Sequence, residues 1–115
     1  VRLNNTSQLA GFAKKADLPY FLNRVCGVEY VELPVLAPGD DLLKAYRRGA
    51  LPWDEYERRY TALLCARDAA NVLQREMFEP GLILLCSEHQ PDRCHRRLAA
   101  EYLQLAWGDI NIRHL

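Results

Sequence analysis

Leu82-Ile83-Leu84-Leu85-Cys86 is a run of five apolar residues with no polar break, set between Pro80-Gly81 and the polar stretch Ser87 to Gln90. A run this short and this uniform predicts a strand covered on both faces, because a strand with one wet face alternates and a helix is longer. Pro91 then opens a helix expected to run to about Trp107, with Leu98, Tyr102, Leu105 and Ala106 as its buried stripe. An interior strand that feeds a helix belongs to a layered α/β domain.

The remaining elements are read from caps, breakers and periodicity. Asp17 caps a helix whose apolar stripe is Leu18, Leu22 and Val25, and Gly27 stops it. Val28 to Leu33 predicts a strand by its β-branched content, and Pro34 to Gly39 a loop. Asp40 or Asp41 caps a short helix through Arg48, Gly49 ends it, and Pro52 stands where the next helix starts. In that helix Trp53, Tyr56, Tyr60, Leu63 and Leu64 share a face, and the pattern resumes from Ala69 through Val72 and Leu73. Aromatics at this spacing pack a core more often than they wall a ligand site. Ile110 to Leu115 alternates as a closing strand, and Val1 to Leu3 fits the last residues of an opening one. Strand end, helix, strand, helices, strand, helix, strand predicts a small α/β domain of two or three layers with a mainly parallel sheet.

Composition narrows the function classes. A chain of 115 residues, half of them hydrophobic, is sized for a single domain spanning 1–115. Its 15 basic residues are balanced by 15 acidic ones, which argues against a whole-surface nucleic-acid binder and leaves room for a local basic site. Lys44, Arg47 and Arg48 read as a solvated helix face, their field cancelled by Asp40, Asp41, Glu55 and Glu57. No apolar stretch approaches the roughly 18 residues of a membrane span. With so many aliphatic residues to build a core, Cys26, Cys65, Cys86 and Cys94 predict reduced thiols in a cytoplasmic protein, Cys26 and Cys65 as inert core residues. The opening Val-Arg-Leu-Asn-Asn has no signal-peptide character.

Chemistry concentrates between Leu84 and Arg97, where two cysteines, two histidines and three arginines surround a strand end and a helix start. Such junctions bind ligands in open α/β sheets, and unpaired helix N–H groups favour an anion. In the first turn, Cys94 would lie close to helix N–H groups and arginines that favour its thiolate, a candidate nucleophile, with His95 or Glu88 as acid or base. The plainer alternative makes Cys94 a small core filler continuing the stripe Leu98, Tyr102, Leu105. Arg96 and Arg97 cannot both face the core, and with Arg2 and Ser87 they are candidate anion ligands. Asp92 reads as a helix-terminus stabiliser. A weaker alternative gathers Cys86, His89, Cys94 and His95 as a metal set, although the spacing matches no compact zinc knuckle. No organic cofactor motif is present, and no phosphate loop or nucleophile elbow.

The text Leu84-Leu85-Cys86-Ser87-Glu88, then Pro91, then Cys94-His95-Arg96 with Leu98-Ala99 behind it, resembles the signature of the domain of unknown function 488 family. Val1-Arg2 resembles the end of that family's Asp-Val-Arg strand, Val28 to Pro34 its second conserved strand, Trp53, Tyr56 and Tyr60 its aromatic helix, and His114-Leu115 its closing strand. The resemblance implies an α/β domain with a crevice around Arg2, Cys86, Glu88, Cys94, His95 and Arg96, and it implies no reaction. Two departures stand out. The family's first strand and helix, roughly 25 residues of a βα unit, are expected upstream of Val1, and Ala37-Pro38-Gly39 replaces a common Gly-Gly. The expected function is binding of a small anion, with thiol-dependent chemistry on a phosphorylated or nucleotide-like molecule. The alternatives are a non-catalytic module for nucleic acid or protein and a metal-binding domain.

Overall fold

In the computed structural model, which describes residues 17–79, 81–86 and 92–114, helices form where the local signals fall. Helix α1 (Leu18–Phe21) has Pro19 in its first turn, where an absent N–H breaks no hydrogen bond, and continues into a wider π-type turn, Leu22–Cys26. Gly27 ends that turn at φ 65°, a left-handed conformation that glycine adopts without a Cβ clash. Helix α2 (Asp40–Arg47) carries Asp40 and Asp41 in its first turn and Lys44 and Arg47 in its last, so both ends complement the helix dipole. Helix α3 (Trp53–Ala66) starts behind Pro52. Helix α4 (Ala69–Leu73) follows once Asp68 takes a left-handed φ of 52°, and α5 (His95–Trp107) begins behind Cys94 and ends at Gly108.

The core lies between α3 and α5. Tyr56, Tyr60 and Leu64 are buried along one face of α3, and Leu98, Ala99 and Leu103 of α5 belong to the same cluster, which Leu36, Leu43 and Leu73 complete. Trp53, Tyr56 and Tyr60 stack along α3, and Tyr46 meets Trp53 edge-on and Tyr56 at a tilt, with neighbouring ring centroids 4.9 to 6.1 Å apart. Polar bonds fix the irregular chain to this core. Tyr60 Oη donates to the Leu36 carbonyl at 2.6 Å, and Arg67 Nη1 donates to the carbonyls of Val35 and Ala37 at 3.1 and 2.6 Å. The 3-10 turn Pro34–Leu36 is thereby held onto the end of α3.

The α/β expectation, with its parallel sheet, is overturned: among the described residues the fold is helical and no strand forms. Residues 28–33, 81–86 and 110–114 are irregular and pair with one another in no ladder. β-Branched and apolar composition marks a segment that can pair, but a strand also needs a neighbour for its N–H and C=O groups, and helices supply their own. The apolar run is also less covered than expected, with Ile83 65% exposed. Two further corrections concern cysteines: Cys26 is exposed in a turn, Leu22–Cys26, that buries no residue, and Cys65 is exposed beside the buried Leu64 of α3. The expected strand end Val1 to Leu3 lies outside the described residues, as does Pro91 itself. The helix expected to open there begins only at His95, since residues 92–93 form a turn and Cys94 is the cap.

Candidate functional site

The site is built at the start of α5. Cys94 has an extended backbone, φ −131° and ψ 134°, and its Sγ accepts the Arg96 backbone N–H at 3.4 Å, satisfying one of the donors a helix start leaves over. Cys94 is therefore the cap of α5, one residue before the first turn where the sequence places it. Its side chain is 1% exposed. The neighbouring Cys86 thiol, and then burial, push the Cys94 thiol well above its ordinary range, and the Arg96 N–H opposes this only in part.

His95 is buried too, edge-on to the Tyr60 ring with centroids 6.1 Å apart. Its Nε2 lies 3.7 Å and its Nδ1 4.0 Å from Cys86 Sγ. The sulfur atoms of Cys86 and Cys94 and a His95 ring nitrogen all lie within 4.8 Å of one another. Three of the four residues in the sequence-derived metal set therefore converge; the fourth, His89, lies outside the described residues, as do Arg2, Ser87 and Glu88. Tyr56 Oη is buried with no hydrogen-bond partner among the described residues, and burial pushes its phenol well above the ordinary range.

The two arginines part company. Arg96, Ala100, Leu103 and Trp107 recur at intervals of four, three and four, which is one face of a helix, and all four line a cleft of about 570 Å³. Leu82 to Leu85 and residues 110–114 form its other walls, and Phe78 stacks on Trp107 with centroids 6.1 Å apart. Arg97 lies on a different face. Its guanidinium is 5.9 Å from the Trp53 ring centroid and 3.6 Å from each of the Glu57 and Glu101 carboxylates, so its charge is matched away from the cleft. Arg113, which also lines the cleft, is a residue the sequence reading passed over; its alternating polar face was the available signal.

A helical domain with a thiol–imidazole cluster at the cap of its last helix, and along that helix a cleft lined by Arg75, Arg96 and Arg113 together with Glu79 and Asp109, is the class these features define. The family model for the domain of unknown function DUF488 matches residues 1–103, and the chain belongs to that family. The Cys-x-Glu and Cys-His-Arg resemblance is borne out by that match. No curated protein and no solved structure matches the chain. Among the described residues no helix is long and apolar enough to cross a membrane.

Proposed function

We propose that this chain is an anion-binding domain that takes a phosphorylated or nucleotide-like small molecule in the cleft along α5. The observation that carries the proposal is that Arg96 in the first turn of α5 and Trp107 in its last share one face and line one cavity. They are separated by roughly 16 Å of helix axis. That span suits a ligand with a charged end and a flat apolar end. A guanidinium matches paired phosphate oxygens, Arg113 adds a second cation, and the stacked Phe78 and Trp107 offer an aromatic wall. Arg75 shapes the cleft, since it donates to the carbonyls of Trp107 and Asp109 at 3.3 and 3.5 Å.

Covalent chemistry at Cys94 is left out of this proposal, because a sealed thiol with a raised pKa does not meet a ligand in the cleft. A cytoplasmic setting fits four cysteines present as thiols.

Titration calorimetry with ADP, AMP and inorganic phosphate at low salt tests the proposal. The nucleotides are expected to bind more tightly than phosphate alone. Arg96→Gln should weaken the nucleotides about tenfold or more, the loss of one charge-assisted hydrogen bond, and Trp107→Leu should weaken nucleotides but not phosphate. Absence of nucleotide binding, or equal affinity in Arg96→Gln, would reject it. Steeply salt-dependent binding of a single-stranded oligonucleotide without mononucleotide binding would assign the same arginines to a nucleic-acid module instead.

A further inference from the structure

We propose that Cys86, Cys94 and His95 form a zinc site that ties the 81–86 segment to the start of α5. The inference is independent of what the cleft binds. Adjacent residues inside a helix point about 100° apart, which would keep Cys94 and His95 from sharing an ion. The extended backbone of Cys94 at the cap removes that obstacle, and its thiol and the His95 ring both turn toward Cys86. Zinc bound tetrahedrally, with Zn–S about 2.3 Å and Zn–N about 2.0–2.1 Å, holds its donors roughly 3.5–3.8 Å apart. Cys86 Sγ and His95 Nε2 already stand 3.7 Å apart, and no pair in the trio exceeds 4.8 Å. Closing on an ion thus takes about 1 Å of side-chain adjustment to reach the zinc geometry.

The donor set selects the ion. Two sulfurs and an imidazole suit zinc and not the oxygen-seeking calcium or magnesium. Binding releases the two thiol protons to solvent and leaves two thiolates against one divalent cation, so the buried centre carries no net charge. With three ligands from the described residues, the fourth position falls to water or another donor.

Full-length protein without a histidine tag, purified under reducing conditions, is expected to contain one zinc per chain by elemental analysis. Replacement by cobalt should give thiolate charge-transfer absorption that falls by about half in Cys86→Ser and in Cys94→Ser, two thiolates being the donors, and stays unchanged in Cys26→Ser and Cys65→Ser. Cys94→Ser keeps a capping oxygen for the Arg96 N–H, so its helix content by circular dichroism should match wild type and a halved spectrum reports the loss of one ligand. Zinc should raise the melting temperature of wild type and not of Cys86→Ser, and should protect Cys86 from alkylation. Folded, reduced protein that takes up no zinc overturns the proposal. So does a cobalt spectrum of undiminished intensity in both Cys86→Ser and Cys94→Ser, or a Cys86–Cys94 disulfide in protein alkylated at the moment of lysis.

Discussion

Tyr56 and Tyr60 stand one turn apart on α3, 1% and 0% exposed, and differ in a single bond. Burial pushes both phenols above their ordinary pKa, yet Tyr60 Oη reaches the Leu36 carbonyl and Tyr56 Oη has no partner among the described residues. Tyr60→Phe removes the bond and strands a buried carbonyl, so it should cost about 1–3 kcal/mol in urea unfolding. Tyr56→Phe in the metal-free protein should fall within about 0.5 kcal/mol of wild type, or gain, because the hydroxyl it deletes is buried without compensation. Periodicity identifies both residues as core and treats them alike. What separates them is a carbonyl in the Pro34–Leu36 turn, 24 residues away, and no local pattern reports that contact. The same holds at the candidate site. The segment Cys94-His95-Arg96 stands out in the sequence by residue type alone, whereas the role of Cys94 as cap, and its meeting with Cys86, depend on where α5 begins.

At the scale of elements, starts and stops were legible because their causes are local: Gly27 and Gly49 after helices, Pro52 before α3, paired aspartates at the start of α2. The face of α5 was legible only in part. The expected stripe was Leu98, Tyr102, Leu105 and Ala106; Leu98 is buried as expected, but its buried partner is Leu103, and Leu105 is 87% exposed. Two neighbours explain the rotation. One side of α5 packs on α3, the adjacent side faces the cleft, and Leu103 lies where they meet, leaving Leu105 on the remaining side. Leu98→Ala should therefore lower unfolding free energy by about 2–5 kcal/mol through the cavity it leaves, while Leu105→Ala should change it by less than about 0.5 kcal/mol. Equal effects in chemical denaturation would mean that α5 is turned differently on its neighbours.

For the molecule as a whole, the sequence shows where apolar segments lie but not which of them find partners. Leu82 to Cys86 has the composition of an interior strand, and Ile110 to His114 the alternation of an edge strand, yet pairing is a property of two segments and neither contains the other's position. In the folded chain both instead border the cleft along α5, and the helices hold the core among themselves. Hydrogen exchange separates this arrangement from a sheet. Amides of α3 and α5 are bonded within helices whose inner faces are buried, so their exchange requires opening of the core and should be roughly a thousandfold or more slower than in unfolded chain. Amides of residues 81–84 and 111–114 have no ladder to break and should exchange far sooner. Strong protection at alternate amides of both segments would reveal strand pairing, and the cleft proposed to bind an anion would then be occupied by the chain's own backbone.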